Sequence, residues 1–408
     1  MKKIQIIIIT LFFLGMSVFA SEVLTTGADF LKIPVGARYS ALGESMTAFA
    51  DDIESIVVNP GGVGQINKFQ VFYEHAEWFQ SVRFETLSAG LPLKMLGGKR
   101  SILPGSVALN VKMLYMSPVT GYDSWGITTE TVKYSTFDLH AGYGMKVFEN
   151  SWTTLFAGGT LAFISKSMPG MTTGYAKPSL DLGVSGRIYH HIQDSKVLKM
   201  IGDNVRVGAV VRNIDFYNVD KNEALPLSIK LGAAVKIYDM VDLDIDFLKY
   251  SDSGFRGNLG AEYWFRDIVA ARIGTKLGAG QLNHFTWGIG VKQKFGQYTV
   301  YFDYAMLPYG DMGLTHKMSL KMDVDKIEIK FPDKEELWYY KGVDYFIHGE
   351  YEKADIMWKK VLKKNPENEQ AKARLKEVSK ILKMKEKESK MTEIEKSFQE
   401  EMGEETKK

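Results

Sequence analysis

Cysteine is missing from all 408 residues. Its absence removes disulfide scaffolds, cysteine-based zinc sites, thiol nucleophiles and any lipid anchor on an N-terminal Cys. An excess of one charge is missing too. The 51 Lys and Arg balance 49 Asp and Glu, a net +2 with none of the basic bias expected of a nucleic-acid-binding protein. Beyond the first twenty residues no apolar run reaches the roughly 18 residues that a membrane-spanning helix needs. The chain also lacks a phosphate loop, G-x-S-x-G, H-E-x-x-H and a dinucleotide fingerprint. No enzyme, cofactor or metal is therefore expected. His190 and His191 are neighbours whose side chains diverge on a strand, a poor metal site.

Residues that are 45% hydrophobic and 25% charged belong to a folded chain. Residues 1–20 read as a secretory signal peptide. Lys2 and Lys3 open it, Ile6 to Leu14 form its apolar centre, and Val18-Phe19-Ala20 supplies a cleavage triplet. From Lys68 to Met322 the pattern then has period two. Leu227, Ile229, Leu231, Ala233, Val235 and Ile237 share one face, with Ser228, Lys230, Gly232, Ala234 and Lys236 on the other. The next segment sets Val241, Leu243, Ile245 and Phe247 against Asp242, Asp244 and Asp246. About fourteen such segments follow one another, with lengths near the 9–11 residues of a tilted membrane strand. Tight turns alternate with longer polar loops such as Ser117–Glu130 and Ser165–Lys177.

Charges of both signs on one face suit a hydrated, ion-paired barrel lumen, and the apolar face suits lipid. Since only helices and closed barrels satisfy every backbone group in lipid, the expectation is an antiparallel transmembrane β-barrel over 68–323. Asp242, Asp244 and Asp246 have the spacing to bind calcium, but the reading preferred is lumen residues paired with lysines. Tyr73, Trp78, Phe79, Trp264, Phe265 and Trp287 fit an interfacial aromatic girdle, with Trp264 on the polar parity as the mark of a bulge.

The stretch before the first strand is different. Gly27 to Arg38 leads through Gly43 and Ala48 to Asp51-Asp52, and ends at Asn59-Pro60-Gly61-Gly62; residues 40–50 have the composition of a short helix. Phe30, Leu31, Gly36, Ala37, Arg38, Gly43, Ala48, Asp51, Asp52, Ser55, Asn59, Pro60 and Gly62 resemble the opening signature of the PorV/PorQ outer-membrane proteins, relatives of FadL-type barrels. The resemblance continues in Val207 to Asn213, Leu225-Pro226-Leu227, Gly260 to Tyr263, Arg272-Ile273-Gly274 and Gly313 to Lys317. It implies a fourteen-stranded outer-membrane barrel with residues 21–67 folded into the lumen as a plug. It also implies, for some members, a part in type IX secretion. Arg38, Asp51, Asp52 and Asn59 are the residues expected to tie plug to wall, because charged and amide groups inside a barrel must find partners.

From Glu335 the pattern turns helical. Trp338, Gly342, Tyr345, Gly349, Tyr351, Ala354, Trp358 and Pro366 fall at the offsets of one tetratricopeptide repeat. Gly342 and Ala354 let two antiparallel helices approach, while Trp338, Tyr345 and Trp358 fill the joint. Residues 369–383 add an amphipathic capping helix to a module spanning 335–383, and 384–408 form a charged tail expected to fray.

Three functional readings follow. The first is a non-enzymatic docking or secretion component, set in outer-membrane lipid with its helical module in the periplasm to meet periplasmic or secreted proteins. The second is a FadL-like channel for hydrophobic small molecules, which requires an apolar pocket beside the plug. The third is a barrel hydrolase, which requires a Ser and a His within hydrogen-bond reach.

Overall fold

The computed structural model describes residues 28–78, 82–97, 103–167, 175–189, 204–216, 224–238, 240–278, 284–325 and 334–405. The signal-peptide segment, Phe79 and the His190-His191 pair lie outside them. The chain forms two compact units, dividing between Glu328 and Ile329.

The first unit is a closed antiparallel barrel of fourteen strands. Its strands are β1 (Phe69–Glu77), β2 (Val82–Pro92), β3 (Ser106–Met116), β6 (Ser135–Glu149), β7 (Thr153–Ser167), β8 (Tyr175–Tyr189), β9 (Asn204–Asp215), β10 (Ser228–Ile237), β11 (Val241–Tyr250), β12 (Phe255–Phe265), β13 (Val269–Leu277), β14 (Phe285–Phe295), β15 (Tyr298–Pro308) and β16 (Leu314–Val324). Each pairs with its neighbour, and β16 returns to β1 with Met322 opposite Val71, so no edge is left open. The predicted 117–130 loop is not featureless. It carries β4 (Val119–Tyr122) and β5 (Thr128–Val132), a separate two-stranded ribbon. The predicted 165–177 loop is shorter than expected, because β7 runs to Ser167 and β8 begins at Tyr175.

The two faces sort as period-two patterning requires. Leu109, Leu161, Leu231, Ile273, Ile289 and Leu320, on six different strands, are exposed on the outer wall. Thr160, Asp181, Lys230, Asp246, Arg272 and Ser319 are buried on the inner one. An apolar exterior around a charged interior is the inverse of a soluble core, and it defines a transmembrane barrel. Tyr73, Phe265 and Trp287 face outward as girdle residues should. Two aromatics do not. Trp264 points into the lumen beneath the Arg272 and Lys292 cations, 5.6 and 6.0 Å from its ring, in an unbroken β12–β13 register, so the expected bulge is absent there. Trp78 packs edge-on against Tyr309 at 5.2 Å, beside buried Ala37, Ala41 and Leu307. Cation–π attraction and packing give both rings better partners inside than lipid offers. Register shifts lie instead on β6, at Val147, and on β9, where Arg212 and Asn213 together oppose Asp181 and Asn213 takes φ +59°.

Residues 28–66 fill the lumen. They comprise a 3-10 turn (Asp29–Lys32), α1 (Ala37–Ala41), α2 (Ser55–Val58) and a second 3-10 turn (Pro60–Gln65). The helix predicted at 40–50 sits earlier, at 37–41, and gives way to turns where Gly43 and Glu44 both adopt φ +64°. Val35, Tyr39, Leu42, Met46, Ile53, Ile56 and Val63 of this segment bury against Phe72, Phe84, Ala108 and Leu114 of the wall.

The second unit consists of α4 (Lys334–Ile347), α5 (Tyr351–Lys364) and α6 (Glu369–Glu405), counting α3 as the Lys94–Gly97 turn. Asn368 caps α6, accepting from Ala371 N at 2.9 Å. The capping helix and the tail expected to fray are one continuous helix.

Candidate functional site: the plugged lumen

The plug is held to the wall in two ways, and the first is steric. Lumen-facing glycines on six strands meet the plug closely. Gly144 on β6 touches Gly64, Gly158 on β7 touches Pro60, Gly183 on β8 touches Asn59, Gly208 on β9 touches Thr47, Gly260 on β12 touches Leu42, and Gly274 on β13 touches Gly43. At each of these a side chain would overlap plug atoms, backbone in most cases. At these glycines the plug lies against the sheet itself, and elsewhere against wall side chains such as Phe72 and Phe84.

The second is ionic. Arg38, on α1, forks onto Glu262 of β12 through Nε at 2.9 Å and a terminal nitrogen at 2.7 Å. Glu262 is fully buried and also accepts from Arg272 at 2.5 Å, and Arg272 in turn reaches Asp303 at 2.7 Å. Asp51 accepts from Arg206 at 2.6 Å, and that guanidinium lies 4.4 Å from the centre of the Phe49 ring. Asp52 pairs with Lys321 of β16. Asn59 donates to the Thr47 and Val184 carbonyls at 2.8 and 3.1 Å and accepts from Gly61 N at 3.1 Å, so one amide joins two plug turns to β8. Among these plug residues, burial pushes the Glu54 carboxyl well above the usual carboxylate range, and neighbouring Asp52 adds to the rise. Burial opposes ionisation of Asp51 as well, but Arg206 and Arg38 outweigh it and hold that carboxyl low.

Arg38, Asp51 and Asp52 line one polar cavity of about 310 Å³ with Arg187, Arg206, Lys236 and Asp323; Asn59 lies apart from it. Other anchors went unnamed in the sequence reading. Glu44 takes Lys276 at 2.6 Å, Asp246 takes Thr47 Oγ1 at 2.6 Å, and buried Lys317 joins Glu74 at 2.9 Å while also donating to the Pro34 carbonyl. Their one sequence signal is a charge on lumen parity. Asp242 pairs with Lys236 at 2.7 Å and Asp246 with Lys230 at 3.6 Å. Among the described residues no group of His, Asp or Glu is arranged to hold a metal ion.

A second, apolar groove of about 520 Å³ lies between Ala233, Leu243, Ile245, Ala261, Ile273 and Phe285. These are outward-facing residues, so the groove belongs to the lipid side of the wall.

In the helical unit, Trp358 is fully buried, with Nε1 donating to the Tyr339 carbonyl at 3.2 Å. Gly342 lies flat against its indole, and Ala354 is buried beside it. Tyr345 packs on the same core. Trp338, expected in the joint, is not part of that core; the neighbouring Tyr339 takes the place, 6.5 Å from the Trp358 ring. Pro366 is exposed in the turn before α6.

Residues 23–97 match the uncharacterised protein family UPF0164. Among solved structures the chain is similar to the toluene transporter TodX of Pseudomonas putida, at TM-score 0.44 and 12% identity over 71% of this chain and 98% of that one. It is similar also to the toluene transporter TbuX of Ralstonia pickettii, with TM-score 0.43, 10% identity and coverage of 71% and 97%. A FadL homologue of Pseudomonas aeruginosa gives TM-score 0.42, 11% identity and coverage of 71% and 98%. At these values no property of those proteins transfers. No curated protein matches.

Proposed function

We propose that this protein is a non-enzymatic outer-membrane barrel of PorV/PorQ type, a docking or secretion-related component with a tetratricopeptide-like module on the periplasmic side. The observation that carries this reading is the occupied lumen. Residues 28–66 fill it, glycines seat them against the wall, and the described lumen cavity is lined mostly by charged and polar groups. A barrel so filled serves as an anchor for what it carries. Both barrel termini, Phe69 and Val324, lie at one end, as an even strand count requires. Residues 334–405 thus follow from the end expected to face the periplasm.

The channel reading calls for an apolar pocket beside the plug. The apolar groove lies on the outer wall instead, and the described lumen cavity is polar. Purified barrel in liposomes tests it: no uptake of a monoaromatic hydrocarbon above protein-free vesicles is expected, and saturable uptake would restore that alternative. For docking, affinity purification from crosslinked cells compares the full chain with one lacking 335–383. Envelope or secreted proteins are expected with the first and lost with the second. If neither chain recovers any, the docking role falls.

A further inference from the structure

From Lys383 onward, every described residue of α6 is exposed, including Met384, Met391 and Ile394 at 63, 63 and 61%. The helix nevertheless continues to Glu405, twenty-odd residues past its last packed turn at Leu382. Most helical stability in proteins comes from tertiary packing of one face rather than from propensity. Internal i,i+4 pairs such as Lys390–Glu386 at 2.8 Å contribute only a few tenths of a kcal/mol. Spacings of seven and three place Met384, Met391 and Ile394 along one stripe, the beginning of a coiled-coil seam.

The charge order says what lies on that stripe. Residues 383–392 hold four Lys and two Glu, net +2, whereas 393–402 hold four Glu and one Lys, net −3. The segment is therefore complementary to itself when reversed, and repels itself in a parallel pair. We propose that α6 beyond Leu382 pairs antiparallel with α6 of a second copy of this chain, with Met391 of one copy facing Ile394 of its partner. The flanking charges then select orientation, as they do at the edges of coiled coils. This inference rests on α6 alone and stands whether or not the docking reading does.

The cysteine-free chain gives a clean test. Full-length protein in its native membrane carries either Ile394→Cys or Met384→Cys and is oxidised mildly. In the antiparallel pair the two 394 positions are offset by only about 4 Å along the axis, and the two 384 positions by about 26 Å. Disulfide-linked dimer is expected at least tenfold more abundant for I394C than for M384C. Reversing Lys383, Lys385, Lys387 and Lys390 to Glu in the I394C chain should reduce that dimer about tenfold, with barrel assembly unchanged. Equal crosslinking at both positions means parallel pairing and overturns the proposal. So does a monomer at both, or an I394C adduct whose mass is not that of two copies.

Discussion

The lumen wall holds the plug by two kinds of contact with different physics. Glycines on β6 to β9, β12 and β13 bring strand and plug backbones together, and the missing Cβ makes that approach possible. Charged side chains on β1, β9, β12, β13 and β16 form the other kind: Glu74, Arg206, Glu262, Lys276, Lys317 and Lys321 reach inward to ions and backbone groups of the plug. The glycine contacts are indifferent to charge state and intolerant of volume. The ionic contacts depend on each ion keeping its partner, because an unpaired charge in a low-dielectric interior is destabilising by several kcal/mol. A plug secured both ways resists disturbance by salt and by thermal loosening of side chains alike.

Four substitutions break or sharpen this contrast, in falling order of effect. Gly274→Leu drives a side chain into the Gly43 backbone, and seating should fail at a loss above about 5 kcal/mol, the range reserved for major core disruption; protease cleavage after Lys32 and Arg38 in the assembled barrel reports it. Arg38→Ala leaves buried Glu262 with Arg272 alone, a loss of about 3 kcal/mol by denaturant melting in detergent. Adding Glu262→Gln should recover part of that, and no recovery would show that the fork is not electrostatic. Gly296→Ala tests a glycine of another kind. It sits in the β14–β15 turn at φ +58° with open space around it, so only backbone strain of about 1–2 kcal/mol is expected. Asp51→Asn removes the partly exposed pair with Arg206 and should lower stability by about 0.5–1 kcal/mol, shrinking further in high salt. A salt-independent loss of several kcal/mol at Asp51 would erase the distinction between the two kinds of contact.

Much of the barrel was legible because one rule, period two, governs every strand and the environments on the two faces are opposites. Leu231 beside Lys230 already says which side meets lipid. The glycine contacts were not legible. Parity puts Gly274 on the lumen face with Arg272 and Lys276, but nothing local says that the plug backbone meets it there. Charged plug residues could be nominated, but their partners could not: Arg38 and Glu262 are 224 positions apart. Trp264 and Trp78 misled because an aromatic ring is at home either in an interface or over a cation, and spacing does not choose between them. In the helical unit, Trp338 and Tyr339 differ by one position, about 100° around a helix, and the repeat offsets alone put the wrong one inside.

The junction of β1 with β16 joins the first and last strands of the barrel. There Lys317 spans from the final strand to Glu74 of the first and to the Pro34 carbonyl, while Lys321 is neutralised by Asp52 from within. A cylinder that shut before residues 28–66 had entered would leave Lys321 without that neutralising carboxylate, and Lys317 without its carbonyl acceptor. The ion pairing of that junction is thus complete only with its contents aboard.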